Sequence, residues 1–285
     1  MSSSWISGGS WLTDGAWGTE MQKRGLGLGE APDFWNLERP DDVLAVAQSY
    51  INAGSRVILT NTFRANSIAL GDATKVEALN RAGVEISRQA AKTSGAMVFA
   101  SVGPCGKVFV AGEVPADELE QSFRQQTAAM QAGGADAILV ETMSDIEEAR
   151  LAVRAARSTG LPVVVSFVFD TGKNKDRTMM GHTPEQVAAA MLEEGVQAIG
   201  ANCGLGAGHF APIARRLRQL TDLPVWIKPN AGMPVLEEGH VRYETKPEEL
   251  ACHLTALLEA GATFVGGCCG TSPEFIQALG ARLTT

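Results

Sequence analysis

The alternation of short apolar runs with longer segments of helical periodicity constrains the fold of this chain most strongly. Alternating strands and helices favour a parallel sheet, and eight such units predict a single-domain α/β fold, a closed (β/α)8 TIM barrel spanning residues 1–285. Eight apolar runs satisfy this count; they are 11–16, 57–63, 97–104, 137–143, 163–169, 198–204, 225–231 and 264–270.

The segments between the runs carry helix start and stop signals. Several begin at Asp or Pro and end at Gly, as in 41–54, 184–195 and 247–261. A doubly wound open sheet is the structural alternative, but no G-x-G-x-x-G follows the first run. No linker of low complexity interrupts the pattern, so we expect one domain in which only residues 1–10 are disordered.

Composition excludes several classes of protein. The net charge of −8 argues against a nucleic-acid partner, and no run of Lys and Arg contradicts this. The first 15 residues lack the basic and apolar regions of a secretory signal, and no apolar run approaches the roughly 18 residues needed to cross a membrane. We therefore expect a cytoplasmic protein whose five cysteines are thiols or metal ligands.

Polar side chains stand at the carboxyl ends of the apolar runs. In a barrel these ends share one face, where the loops that follow the strands build the active site. Residues that are distant in sequence should therefore converge at this mouth; they are Asp14, Asn61, Glu141, Asn202, Asn230 and the cysteines described next.

Three of the five cysteines fall at such strand ends. Cys203 closes the sixth run, and the adjacent pair Cys268 and Cys269 closes the eighth. Neighbouring side chains of an extended strand point to opposite faces, but the flanking glycines allow the backbone to turn so that both thiols face inward. Three thiolates suit zinc and leave its fourth position open. Buried apolar cysteines and a vicinal disulfide remain the alternatives.

Zinc held by three thiolates favours a particular chemistry. The net charge of about −1 makes such a site poor at activating water but suited to a soft thiolate ligand. A substrate thiol bound there would lose its proton and become a nucleophile. A non-enzymatic zinc or thiol protein is an alternative from another class, and a zinc hydrolase fits less well because its ligands are usually His and carboxylates.

Several motifs together resemble the homocysteine S-methyltransferase family over residues 10–280. They are GANCG (200–204), GGCCGT (266–271), DGAWGTEMQKRG (14–25), TNTFRAN (60–66) and VETM (140–143). The resemblance implies a homocysteine-binding barrel and a methyltransferase of methionine biosynthesis. It also implies that Cys203, Cys268 and Cys269 bind zinc, that homocysteine sulfur takes the fourth position, and that Asp14 and Glu141 receive the substrate amino group.

The resemblance also implies a small methyl donor. Residues 29–42 and 176–186 look most like bacterial betaine–homocysteine methyltransferases, and Trp35 aligns with a tryptophan of the aromatic cage for the quaternary ammonium group. Arg64 and Thr142 stand where animal betaine enzymes have cage tyrosines. Trp17 could complete the cage, and Arg64 could meet an anionic end of the donor.

Other donors stay open at this point. S-methylmethionine and S-adenosylmethionine are the second choice. The third is a separate corrinoid protein that delivers the methyl group to a free-standing homocysteine module, since 228–234 resembles the corresponding stretch of cobalamin-dependent methionine synthase. The expected partners are thus homocysteine and a methyl donor, with neither nucleic acid nor membrane. A homo-oligomer is compatible with the sequence.

Overall fold

The computed structural model describes residue 6 and residues 9–27, 29–237 and 240–283, and within them it has the predicted barrel. The expectation of disorder at residues 1–10 falls mainly on residues outside the described part. The strands are β1 (Trp11–Leu12), β2 (Val57–Leu59), β3 (Met97–Val102), β4 (Ala137–Met143), β5 (Val163–Phe167), β6 (Ala198–Gly206), β7 (Val225–Asn230), β8 (Val235–Glu237), β9 (His240–Arg242) and β10 (Ala262–Val265).

Eight of these strands form one parallel sheet in the order β1-β10-β7-β6-β5-β4-β3-β2. A parallel bridge between Thr13 and Val57 joins β1 to β2 and brings the two edges of the sheet together. Each of the eight apolar runs therefore overlaps one strand of this sheet. Strands β8 and β9, which the sequence pattern did not reveal, pair as an antiparallel hairpin in the loop between β7 and the helix that follows.

The helices surround the sheet, and each of the predicted segments 41–54, 184–195 and 247–261 overlaps at least one of them. They are α1 (Trp17–Gln22), α2 (Trp35–Glu38), α3 (Pro40–Asn52), α4 (Ser67–Leu70), α5 (Val76–Ala91), α6 (Ala116–Ala132), α7 (Ile146–Arg157), α8 (Pro184–Glu193), α9 (Phe210–Leu220), α10 (Pro247–Ala251), α11 (Leu254–Glu259) and α12 (Pro273–Leu283). The predicted helix 247–261 is divided, because the chain turns between α10 and α11.

Side-chain alternation along the strands builds an aromatic layer inside the barrel. Phe99, Trp226 and Phe264 pack there with ring centroids 5.1 to 5.9 Å apart. Two residues further along β3 and β7 the same face carries Ser101 and Lys228, since strand side chains repeat every second position. The aromatic layer thus closes the barrel below a polar layer at its mouth.

Among the residues that the structure describes, no helix combines the length and apolar character required to cross a bilayer.

Candidate active site

The three predicted cysteines come together at the carboxyl ends of β6 and β10. The Sγ atoms of Cys203, Cys268 and Cys269 all lie within 4.8 Å of one another, and those of Cys203 and Cys269 are 3.9 Å apart. The barrel therefore brings residues 65 positions apart in the chain to one point.

Local backbone turns explain how two adjacent thiols serve one site. The backbone N–H of Thr271 donates to the Cys268 carbonyl at 3.1 Å, so the pair lies in a turn rather than in an extended strand. The Asn230 side chain accepts from the Cys269 N–H at 3.0 Å and donates to the Gly204 carbonyl at 2.9 Å. Asn230 thereby holds the two cysteine loops together.

Cys203 occupies a backbone conformation that side chains seldom adopt. Its φ is 64°, and Gly204 follows with a φ of 69°. Two consecutive left-handed residues turn the chain sharply within the last residues of β6, where its register with β7 shifts, and the glycine adopts this conformation without steric cost. This turn presents the Cys203 sulfur to the sulfurs of Cys268 and Cys269.

The sulfur cluster fits a tetrahedral metal ion by its geometry and by its charge. Tetrahedral zinc with Zn–S bonds of about 2.3 Å separates its sulfurs by about 3.8 Å, close to the observed 3.9 Å. Considered as thiols alone, the hydrogen-bond contacts with Cys268 and Cys269 lower the pKa of Cys203 to about 3. The contact with Cys203 raises the pKa values of Cys268 and Cys269. A dication would let all three sulfurs ionise.

A cavity of about 330 Å³ opens beside the three sulfurs. Glu141, Lys228 and Ser101 line its polar side, while Trp17 and Phe63 offer aromatic surface. The three sulfurs, charged groups and apolar surface thus share one chamber, which is the composition expected of a site for a small polar substrate.

Glu141 is a buried carboxylate of this cavity with few hydrogen-bond partners. It is 7% exposed, accepts from Ser101 Oγ at 2.5 Å, and receives only a long bond of 3.3 Å from Asn202 Nδ2. Burial raises the pKa of Glu141 to about 7, although Lys228 and Ser101 oppose the shift. A bound ammonium group would supply the partner that an ionised Glu141 requires.

Asp14, in contrast, is fully bonded within the protein. Lys228 Nζ forms an ion pair with its Oδ1 atom. Trp17 Nε1 and the backbone N–H of Leu59 each donate to Oδ2 at 2.7 Å. Asp14 is completely buried and Lys228 is 2% exposed, so the two charges neutralise each other inside the barrel mouth.

Asn202 connects the cavity to the cysteine cluster. Its Nδ2 atom lies 2.8 Å from Thr142 Oγ1 and 3.8 Å from Cys268 Sγ, while its Oδ1 atom accepts from the Thr142 N–H at 3.0 Å. These bonds hold Thr142 at a φ of 63°, a strained value for a β-branched residue. Asn202 therefore fixes the strand end that carries Glu141.

The residues predicted for the donor take different positions. Trp17 and Thr142 line the cavity. Trp35 is buried in the core, with the guanidinium carbon of Arg39 3.9 Å from its ring centroid. Arg64 is exposed, and its backbone N–H donates to Asp33 Oδ1 at 3.0 Å. The donor roles of Trp35 and Arg64 stay predictions.

Sequence reasoning did not single out Lys228, Ser101 or Phe63. Counting by twos from the strand-end residue Asn230 reaches Lys228 on the same face of β7, so alternation offered a signal for it. Ser101 lies within an otherwise apolar run. Phe63 lies within the TNTFRAN motif, of which only Asn61 and Arg64 were considered as site residues. Only the folded structure shows that Ser101 and Phe63 line the cavity.

The remaining two cysteines lie apart from the sulfur cluster. Cys105 is buried, its N–H donates to Glu148 at 2.7 Å, and burial raises the pKa of its thiol to about 12. Cys252 is exposed in the turn between α10 and α11.

Comparisons with known proteins agree with this geometry. Residues 11–283 match a family model described as homocysteine S-methyltransferase. The methionine synthases of Mycobacterium leprae and Mycobacterium tuberculosis are each 33% identical over 93% of this chain, but the match covers 24% of their length. The chain thus spans about a quarter of these relatives.

A solved structure extends the comparison to three dimensions. The metallated form of the homocysteine methyltransferase MmuM from Escherichia coli superposes with a TM-score of 0.81 at 26% sequence identity, covering 97% of both chains. The oxidized form of the same enzyme gives a TM-score of 0.78 over 96% of both chains.

Proposed function

The chain belongs to the homocysteine S-methyltransferase family, and from this premise we propose that it is a zinc-dependent enzyme that methylates homocysteine to methionine. The observation that carries the proposal is that three sulfurs within 4.8 Å of one another open onto the same cavity as the buried carboxylate of Glu141. A thiol and an ammonium group on one small molecule would match these two features.

Cys203, Cys268 and Cys269 would hold the zinc ion, whose chemistry when bound is to keep a coordinated substrate thiol deprotonated at neutral pH. Glu141 would bind the substrate ammonium group, oriented by Ser101 and Asn202. A reducing cytoplasmic compartment would keep the three cysteines free of disulfides.

The apolar part of the cavity supports a direct transfer. A thiolate and an onium donor both lose their charge as the methyl group moves, so a chamber that excludes water favours the transition state. Leu59, Phe63 and Trp17 supply such surface beside the sulfurs. The aromatic faces of Trp17 and Phe63 also suit a quaternary ammonium or sulfonium methyl donor such as betaine.

The proposal is tested by assaying methionine formation from homocysteine with reduced, zinc-loaded protein. Betaine, dimethylsulfonioacetate, S-methylmethionine and S-adenosylmethionine would be supplied separately. We expect turnover with an onium donor and its loss after zinc is removed. Zinc-independent turnover would contradict the proposed role of the metal, and absence of turnover with every onium donor would contradict direct transfer from them.

A second candidate donor is a protein that carries the methyl group on a corrinoid. The methionine synthase relatives favour it. Free methylcobalamin is a suitable probe. Methionine formed from it, when the onium donors give none, would support this donor; turnover from an onium donor alone would argue against it.

A further inference from the structure

We propose that Tyr243 is a positioning residue of the sulfur cluster that protects Cys269 from methylation. The inference rests on the zinc site of the proposed function and concerns a hazard that the proposed chemistry brings with it. Cys203, Cys268 and Cys269 line the same cavity that an onium methyl donor would enter. A thiolate is the nucleophilic form of cysteine, so the sulfurs of the protein compete with the substrate for the methyl group.

Methylation of a ligand sulfur would destroy the site. The sulfur would use an electron pair to form the new S–CH3 bond, and the bond between the methyl group and the donor would break, its electron pair leaving with the amine or thioether. Cys269 would then be a neutral thioether, which is not among the usual protein ligands of zinc. A group that lowers the nucleophilicity of Cys269 therefore preserves the site.

The position of Tyr243 supplies the first observation. Tyr243 directly follows β9, so the hairpin of β8 and β9 leads it to the sulfur cluster, where it is half-buried. Its ring lies against the backbone of Gly270, the residue after Cys269. A Cβ atom on Gly270 would lie 2.2 Å from the Cγ atom of the ring, and the φ of Gly270 is 80°. Glycine at this position thus permits the close approach of the ring.

The base of the hairpin loop is anchored to the same cluster. The N–H of Ala231 donates to the Cys269 carbonyl at 2.9 Å. A Cβ atom on Gly232 would lie 2.6 Å from Thr245 Oγ1, so the two ends of the loop that contains the hairpin pack directly against each other. This packing holds Tyr243 beside Cys269 and gives the hairpin a role at the site.

The contact between the two side chains supplies the second observation. Tyr243 and Cys269 share a side-chain hydrogen-bond contact. The phenol O–H is a donor and an ionised sulfur is an acceptor, so Tyr243 donates to Cys269. Such a bond is strong while the sulfur is charged and weakens as the sulfur loses its charge to the methyl group. Tyr243 therefore stabilises the thiolate more than the transition state, and this slows the attack.

The other two sulfurs have donors from outside the cluster as well. Asn202 Nδ2 lies 3.8 Å from Cys268 Sγ. Cys203 has a hydrogen-bond contact with the backbone N–H of Gly204. Tyr243 thus completes a set in which each of the three sulfurs has such a donor. These donors are neutral, so they lower the reactivity of the thiolates without replacing the positive charge of a metal ion.

Methyl iodide tests the reactivity of the sulfurs without any enzymatic donor. The S–CH3 bond forms as iodide leaves with the electron pair. Zinc-loaded wild type and Tyr243→Phe would be treated without homocysteine, and peptide mass spectrometry would follow methylation of each cysteine. The variant keeps the ring and removes only the hydroxyl. We expect Cys269 to be methylated about 3- to 10-fold faster in it, because part of a hydrogen bond to a charged group is lost in the transition state.

The other sulfurs of the same molecule provide an internal control. Methylation of Cys203 and Cys268 should change little in Tyr243→Phe, and the variant should retain stoichiometric zinc. An equal rise at all three sulfurs, or loss of zinc, would mean that Tyr243 only supports the fold of the cluster and would overturn the proposal. An unchanged rate at Cys269 would overturn it as well.

Tyr50→Phe is the matched substitution. The Tyr50 hydroxyl donates to the backbone carbonyls of Ala16 and Thr271 at 2.7 and 3.0 Å, so it supports the turn after Cys269 through the backbone rather than through a sulfur. We expect Tyr50→Phe to leave the methylation rate of Cys269 at the wild-type value. A rise equal to that in Tyr243→Phe would overturn the proposal.

The outcome also separates this inference from the proposed function. Faster methylation of Cys269 in Tyr243→Phe, with no methionine formed from any donor, would leave the protection of Cys269 standing and refute the methyl transfer. Methionine formation by both proteins, with Cys269 methylated at the same rate in each, would refute the protection alone.

Discussion

At the scale of single residues, the site is built from buried polar groups, and each of them needs a hydrogen-bond or charge partner to offset the cost of its burial. Asp14 and Lys228 neutralise each other, and Asn202 bonds to both the Thr142 backbone and side chain. Glu141 and the three sulfurs are the groups left short of partners. Those unsatisfied groups mark where a metal ion and a substrate ammonium would bind.

Replacing one sulfur tests the metal ligands. Cys268→Ser should abolish stoichiometric zinc binding and reduce methionine formation by more than about a hundredfold, because a hydroxyl is a poor substitute for a thiolate ligand. Zinc content and activity would be measured on the same preparation. The exposed Cys252→Ser is the matched control and should change neither. Full zinc occupancy in Cys268→Ser would refute the assignment.

The raised pKa of Glu141 predicts a pH-dependent stability. Burial raises this pKa from 4.5 to about 7, so the folded protein keeps a proton that the unfolded chain has lost. The resulting stability is complete below about pH 4.5 and is lost as the pH rises through about 7. For protein freed of metal, the unfolding free energy of wild type relative to Glu141→Gln should fall by up to about 3 kcal/mol between about pH 4 and pH 8.

Denaturant titrations of both proteins across this pH range would measure the difference. A difference that stays constant with pH, or that rises, would contradict a raised pKa for Glu141 in the folded state.

At the scale of elements, strand ends position the site by alternation and by local irregularities. The registers of β4 with β5 and of β6 with β7 shift at the points where Thr142 and Cys203 take positive φ values. Such irregularities redirect side chains at the rims of barrels. The alternation of side chains along the strands could be predicted from the sequence. The positive φ values of Thr142 and Cys203 could not, because they depend on hydrogen bonds to Asn202 and Asn230 from other parts of the chain.

Strands β6 and β7 approach each other closely at Gly200, so we expect the fold to be sensitive to substitution of this glycine. A Cβ atom on Gly200 would collide with the backbone carbonyl of Trp226, so Gly200→Ala should destabilise the barrel by about 1–3 kcal/mol or more. Gly18→Ala is the control, because nothing lies within 4 Å of its added Cβ and a helical alanine should gain about 0.5–1 kcal/mol. Thermal unfolding would compare them; equal stability of the two variants would contradict the packing argument.

At the scale of the whole molecule, closure of the barrel brings residues that are distant in sequence close together in space. The eight strands and the convergence of Cys203 with Cys268 and Cys269 followed from the runs alone, because the topology of a barrel leaves few alternatives. The hairpin of β8 and β9 could not be predicted from the runs, since each strand has three residues and lies within a loop. The ion pair of Asp14 and Lys228 joins residues 214 positions apart in the chain and also escaped prediction.

Zinc removal should lower the stability of the barrel without unfolding it. The sulfurs link β6 to β10 at the mouth, whereas the aromatic layer of Phe99, Trp226 and Phe264 packs independently of them. Binding to the folded state alone raises the unfolding temperature by mass action. We expect added zinc to raise the melting temperature of chelator-treated wild type but not of Cys268→Ser. An unfolded metal-free chain would contradict this account.

The central claim is that three cysteines hold zinc and leave its fourth position for the substrate sulfur. X-ray absorption at the zinc edge, recorded before and after homocysteine is added, counts the sulfur ligands directly. We expect three sulfurs in the free protein and four with homocysteine, at Zn–S distances of about 2.3 Å. A sulfur count that homocysteine leaves unchanged, or a site dominated by nitrogen and oxygen ligands, would contradict it.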